Sequence, residues 1–273
     1  MIATLLFILF LLSDWLLLSV LPRIQVSFAP TIVVPLAASL LVRSVVFLGL
    51  SGAILFGRLR RRAGPVRWQF RSPVLLFVVV NHGFSLVQLD AYVVEPLSIQ
   101  TTELSLAFDD LDPALPPVRV VHVTDTHIER NGFRERDLIR RVNALQPDVV
   151  VLTGDYLNLS NLRDPEAVEH FRDLMTQIEA PYGIYAVRGT VEAASHTMAR
   201  LLEGTAVVWL EQEAVTVDVR GQRVTLVGVA CSHGEELDAA RLAGAMAGVP
   251  EDAFTLLLYH SPDLIADAVA HGL

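Results

Sequence analysis

The sequence predicts a layered α/β domain, built on one mixed sheet or two packed sheets, that follows an all-α transmembrane region. Three features carry this expectation. Long apolar stretches crowd the first third of the 273 residues, buried-strand and amphipathic-helix patterns alternate through the middle, and short strands follow in a meander.

The apolar stretches run over about 2–21, 31–56 and 73–94, each near the ~20 residues that span a bilayer as a helix. A secretory signal peptide is the competing reading of the first. No basic segment precedes it, however, and no small-residue cleavage site follows it. Between the second and third stretches lies "GRLRRRAGPVRWQFRS", with Arg58, Arg60, Arg61, Arg62, Arg67 and Arg71 and no acidic residue. Positive charge is retained on the cytoplasmic side, so three spans put the N-terminus in the cytoplasm and everything after Glu95 outside; two spans would invert this. The expected organisation is a membrane region over 1–95 and a second domain over 96–273.

Asp14 and Arg43 interrupt the apolar stretches, where an unpaired charge is costly. Either they pair across a helical hairpin, or each reaches a headgroup or a neighbouring subunit. Asn81 and His82 pose a similar choice between a functional pair in the membrane and a marginal span. After Glu95 there are 27 acidic residues against 13 arginines, a balance of −14, which argues against nucleic acid as a partner. The single cysteine, Cys231, excludes an internal disulfide and is expected to be buried and inert.

In the second domain "DDLDPALPP" is a turn-rich connection, "VRVVHVT" a strand, and "RERDLIRRVNALQ" a helix with apolar spacing through Leu138, Val142 and Leu145. "PDVVVLTGD" is a second buried strand. "DPEAVEHFRDLMTQI" is a helix with Asp164 as N-cap and Pro165 in its first turn. "YGIYAVRG" makes a third strand. "AVVWLE", "AVTVDVR" and "RVTLVGV" follow as short strands, the last two joined by a hairpin-like turn at "GQ". A helix over 235–247, the strand "FTLLLYH" and the helical "PDLIADAVAHG" complete the chain.

Three of these strands end on metal-ligand residue types. "VTDTHIE" offers Asp125 and His127, which on an extended backbone point the same way and can converge on one cation. "LTGDYLN" offers Asp155 after Gly154, and "LLLYHSPD" offers His260. Singly each is a turn or hydrogen-bonding residue. Jointly, acids and imidazoles at one sheet edge cost energy unless paired or metal-bound, and a metal site explains them better. His122 is expected to be a core or buried polar residue, His196 a helix-surface residue, and Asn158 and Asn161 turn residues. His233 lies near the candidate site in sequence and is the one base within reach of Cys231.

"VVHVTDTHIE", "PDVVVLTGDYLN", "YGIYAVRG" and "LLLYHSPD", in this order and spacing, resemble the calcineurin-like metallophosphoesterases, and most closely their membrane-anchored bacterial branch. The resemblance implies a sandwich of two mixed sheets flanked by helices. It also implies one or two divalent ions (Mn, Fe, Zn or Mg) that activate water for attack on phosphorus. Asp125 and His127 would be ligands of the first ion, Asp155 would bridge, and His260 would bind the second. With a membrane anchor beside the site, the implied substrate is a phosphomonoester, a phosphodiester, or a phospholipid or lipid-linked pyrophosphate.

Two departures accompany the resemblance. Where the family has Gly-Asn-His-Asp or Gly-Asn-His-Glu, this chain has Gly189-Thr190-Val191-Glu192. Thr190 is a poor substitute for an amide ligand, and Val191 replaces a histidine that supports the transition state, so no catalytic side chain is assigned. The family's final Gly-His-x-His segment is also absent before Leu273. Either the sequence stops short of the whole protein, which is preferred because the fold by resemblance still needs strands, or those ligands have been lost. The rival to an enzyme is a degenerate, membrane-bound binding or sensor module.

Overall fold

The structure is a computed structural model that describes residues 2–24, 33–61, 72–192, 195–232, 234–250 and 253–273. Arg62, Arg67 and Arg71 of the arginine-rich loop, and His233, lie outside the described residues. The chain divides into two compact units, Met1–Ile99 and Gln100–Leu273.

The first unit contains α1 (Ile2–Trp15), which runs on through a π-helical turn at Leu16–Val20, then α2 (Val33–Arg61), α3 (Ser72–Leu89) and a short α4 (Glu95–Leu97). Among the described residues, three helical segments, Thr4–Ile24, Pro35–Gly57 and Leu75–Leu97, are long and apolar enough to cross a membrane. Their outer surfaces are leucine, valine and phenylalanine, as a lipid-facing helix requires.

The polar residues of this unit gather around Arg43, which is 0% exposed. Its Nε and one terminal nitrogen both donate to the Asp14 carboxylate at 2.5 Å, so α1 and α2 are joined by a two-point ion pair. The same guanidinium donates to Oδ1 (3.0 Å) and the backbone carbonyl (3.2 Å) of Asn81, to Ser85 (2.9 Å) and to Gln88 (3.1 Å), all on α3. Ser39 adds a donor to Asp14, and the Phe10 and Phe84 rings lie 4.9 and 5.0 Å from the guanidinium carbon. Asp14 and Arg43 therefore pair across the hairpin. Asn81 and His82 do not pair: Asn81 faces Arg43, whereas His82, the next residue round α3, is exposed.

The second unit begins with an extended segment stitched to its own sheet. The Gln222 side chain donates to the Asp112 carbonyl (2.7 Å) and accepts from the Asp112 N–H (3.1 Å), and Phe108 packs on Phe254 at 4.9 Å between centroids. The first sheet is parallel, in the order β1 (Val120–Val123), β2 (Val149–Leu152), β3 (Ile184–Ala186) and β4 (Val207–Trp209). The crossovers use α5 (Phe133–Ala144), α6 (Pro165–Thr176) and α7 (Ser195–Leu202). The second sheet is mixed. β5 (Gln212–Val219) pairs antiparallel with β6 (Gln222–Val229), and β6 pairs parallel with β7 (Thr255–Leu258). α8 (Glu235–Met246) and α9 (Ile265–Ala270) complete it.

Alternation along the strands builds three layers of core. Val150, Leu152, Ile184 and Ala186 face α5, α6 and α7 and meet Val142, Phe171 and Met198. Val149, Val151, Tyr185 and Val187 face the second sheet and meet Val219, Val224, Leu226 and Leu258. The far side of β6, Val227 and Val229, packs under Leu242 of α8. The result is helix, sheet, sheet, helix, the expected sandwich.

The local signals hold as well. Asp164 caps α6 by accepting from Glu166 N–H at 3.1 Å, with Pro165 in the first turn. His196 is exposed on α7, and Cys231 is buried. His122 differs from expectation. It lies opposite Val151 in the ladder, yet β1 is an edge strand, and the side chain is exposed with its Nε2 2.7 Å from the Thr153 hydroxyl. Partial burial holds its pKa below the usual imidazole value, and Asp125 pulls the other way.

Arg43 generates a prediction for the membrane unit. Asp14→Arg, which sets two like charges together, is expected to reduce membrane-integrated protein severalfold, since breaking a buried pair costs about 3–5 kcal/mol. Adding Arg43→Asp to the same chain should restore part of the yield, measured by immunoblot of the membrane fraction.

Candidate metal centre

The two strand ends that carry Asp125, His127 and Asp155 leave regular strand geometry just before these residues. β1 stops at Val123, and the chain then places Asp125 at φ +51° and His127 at φ +40°. Asp155, after β2, sits at φ +54° behind Gly154 at φ +102°. Left-handed backbone at a non-glycine residue costs on the order of 1–3 kcal/mol and persists where the surroundings impose it. Here that surrounding is a continuation of the β1–β2 ladder. Thr153 N–H donates to Val123, Asp125 N–H to Gly154, His127 N–H to Asp155 and Ile128 N–H to Tyr156, at 2.7 to 3.2 Å. Arg134 on α5 donates to the Thr126 and His127 carbonyls at 2.8 and 3.3 Å, gripping the first turn from outside.

Asp125 and His127 thus converge through a turn rather than through strand alternation. His127 Nε2 lies 3.8 Å from an Asp125 oxygen and 3.7 Å from Asp155 Oδ2. His260 enters from β7, so the cluster draws on both sheets rather than on the edge of one. Its Nδ1 lies 2.7 Å from the Thr153 carbonyl, which can only accept. Nδ1 therefore donates, and Nε2, 3.6 Å from Asp155 Oδ1, is the nitrogen that bears the lone pair in the neutral ring. That is the arrangement of a metal-binding imidazole, whose outer nitrogen is fixed by a backbone acceptor. Ligand atoms of Asp125, Asp155 and His260 lie within 4.8 Å of one another, and this donor set of carboxylate oxygen and imidazole nitrogen suits a divalent cation.

The third tip, Gly189-Thr190-Val191-Glu192, closes against Asp155. The Thr190 and Val191 N–H groups both donate to Asp155 Oδ1 at 2.9 Å, and the Thr190 hydroxyl lies 3.2 and 3.3 Å from the two carboxylate oxygens. Thr190 therefore meets the cluster through Asp155. Val191 supplies a backbone donor and no side-chain chemistry. Glu192 is 0% exposed, and its carboxylate accepts from the N–H groups of Tyr156 (2.8 Å), Asp155 (3.0 Å) and Gly189 (3.3 Å). Burial raises its pKa, while the hydrogen bonds from Tyr156 and Asp155 oppose the shift.

A sequence profile of the calcineurin-like phosphoesterase superfamily domain matches residues 118–263, which contain all of these elements. The chain belongs to that superfamily. It is similar to YkoQ of Bacillus subtilis, an uncharacterized metallophosphoesterase, with 22% identity over 174 residues that cover 62% of each chain. It is also similar to the UDP-2,3-diacylglucosamine pyrophosphatases LpxG of Chlamydia trachomatis and Chlamydia muridarum. Identity there is 27% and 24% over 128 residues, covering 46% of this chain and 34% of each relative. The chain thus spans less than two thirds of the length of these relatives.

Calcineurin-like phosphoesterases use divalent metals, and Asp125, Asp155 and His260 form a cluster that could hold such an ion. Glu192 and Arg134 also act here, and neither stands out in the sequence as a functional residue. A buried acid three residues beyond a strand-end glycine was the available signal for Glu192; nothing local marks Arg134. Asn158 is a turn residue as expected, its side chain accepting from Ser160 N–H at 3.4 Å.

The two glycines at the tips touch. A Cβ on Gly189 would fall 2.4 Å from Asp155 N and 2.9 Å from Gly154 Cα, both backbone atoms that cannot swing away. Gly189→Ala is therefore expected to lower stability by about 1–3 kcal/mol through overpacking. It should also weaken Mn²⁺ binding, measured by thermal unfolding and titration calorimetry of the detergent-solubilised chain.

Proposed function

We propose that this chain is a membrane-anchored, divalent-metal phosphoesterase whose cation is held by Asp125, His127, Asp155 and His260 and whose substrate is a lipid-linked phosphoester or pyrophosphate. The observation that carries the reading is the orientation of His260. Its Nδ1 is committed to the Thr153 carbonyl, so Nε2 is the nitrogen turned toward Asp155 and the one a cation would use.

A bound divalent cation supplies a Lewis acid and lowers the pKa of coordinated water into the range needed for attack on phosphorus. The protein's own groups prepare that chemistry. Thr190 and Val191 N–H groups fix the Asp155 carboxylate, His127 stands between Asp125 and Asp155, and Arg134 holds the carbonyls of the Asp125–His127 turn. The substrate class is supported by three apolar spans, by similarity to pyrophosphatases of a lipid-linked sugar nucleotide, and by Leu159 and Phe133. These are large exposed apolar side chains, Leu159 in the segment after the Asp155 turn and Phe133 at the first position of α5. The arginine-rich loop and three spans favour an extracytoplasmic location for the domain.

A second reading, a degenerate domain that binds without turnover, is favoured by Val191, which has no proton to give at a position the family fills with histidine. Turnover separates the two. The full chain should hydrolyse p-nitrophenyl phosphate, bis-p-nitrophenyl phosphate or UDP-2,3-diacylglucosamine only with added divalent ion. Asp155→Asn should cut the rate by at least ~100-fold, beyond the ~10–100-fold typical of residues that only orient ligands. Metal binding without turnover on any of them would favour the second reading. For orientation, an alkaline phosphatase reporter fused after Glu95 should be active, and a cytoplasmically active reporter in its place would overturn the topology.

A further inference from the structure

Glu192 is a charged side chain with no access to solvent, and neither sheet core uses it. Its two oxygens divide their work. Oε1 accepts from Tyr156 N–H, and Oε2 accepts from Asp155 N–H and Gly189 N–H. Asp155 does the same in the other direction, its Oδ1 accepting from Thr190 N–H and Val191 N–H. Two acids on neighbouring strand tips thus each take the backbone donors of the other's turn, like a capping box shared between two loops. One of the donors Glu192 holds is the N–H of Asp155 itself, the residue that is left-handed and lies between His127 and His260, and another is that of the next residue, Tyr156.

We infer that Glu192 is a positioning residue that sets Asp155 in its cation-binding orientation before any cation arrives. This rests on the reading of the cluster as a cation centre. The two turns have no side chain other than Glu192 that accepts from the Asp155 and Tyr156 amides among the described residues. Without it, the buried N–H groups of Asp155, Tyr156 and Gly189 lose their acceptor, and the left-handed turn keeps the ladder but loses the bonds that back it from the β3 tip. The Asp155 carboxylate would then depend on its Thr190 and Val191 donors alone, on a turn no longer held from behind.

The test uses the full chain in detergent and Mn²⁺ as probe. Glu192→Gln keeps the volume but turns an amide NH₂ toward N–H donors. Glu192→Asp keeps the charge but falls one methylene short. Both are expected to bind Mn²⁺ on the order of 10–100-fold more weakly than the unaltered protein, as changes behind a metal ligand do. In the unaltered, metal-free protein the amides of Asp155, Tyr156 and Gly189 should be protected from hydrogen exchange, a measurement that stands even if a variant fails to fold.

Wild-type affinity in Glu192→Gln, or a lowered melting temperature with unchanged affinity, would overturn the inference. Wild-type affinity in Glu192→Asp would do so too, because charge rather than placement would then be the cause. Unprotected amides in the metal-free protein would overturn pre-setting. If the unaltered protein binds no Mn²⁺, the cation reading itself falls and takes the inference with it; if it binds and both variants bind equally well, the inference alone falls.

Discussion

The tips of β2 and β3 meet so closely that the backbone of one occupies the space where a side chain of the other would begin. Gly154 and Gly189 permit that approach, and the exchange of carboxylates between Asp155 and Glu192 holds it. Everything at the candidate centre depends on this contact. It fixes Asp155 in left-handed backbone, it puts Thr190 and Val191 against the carboxylate, and it leaves room for His260 to come across from the second sheet. The parallel ladder extends the same order to Asp125 and His127, whose amide bonds run to the β2 tip.

The same physics recurs in the membrane unit with a different solution. A charge removed from water must have its hydrogen-bonding capacity met or it will not stay buried. Glu192 meets it with backbone amides of two turns. Arg43 meets it with a carboxylate, a hydroxyl, two amide oxygens and a backbone carbonyl drawn from two other helices. The first arrangement shapes a site. The second ties three helices whose remaining contacts are apolar and carry little directional information.

Much of this was legible in the sequence because burial has a period. The parallel strands appear as runs of valine and leucine, the helices as apolar spacing under a capping Asp164, and the spans as lengths near ~20 residues. Asp125, His127, Asp155 and His260 stood out because polar residues ended apolar runs. What remained hidden was geometry without a period. Alternation suggested that Asp125 and His127 share a strand face, whereas a left-handed turn brings them together. His122 followed the strand pattern inward but belongs to an edge strand. Glu192 lay in a stretch that looks chemically quiet, because its partners are backbone amides that no residue type announces.

Asp125, Asp155 and His260, with His127 beside them, make up the proposed pre-built cation centre. The most direct measurement is a crystal structure of the full chain grown with Zn²⁺, with anomalous maps on either side of the zinc edge. A zinc peak is expected within about 2.0–2.2 Å of carboxylate oxygens of Asp125 and Asp155 and of His260 Nε2. The Asp155 turn and the Glu192 bonds should be unchanged from those described above. A zinc peak elsewhere, none in this cluster, or an Asp155 turn that forms only when zinc is present would contradict it.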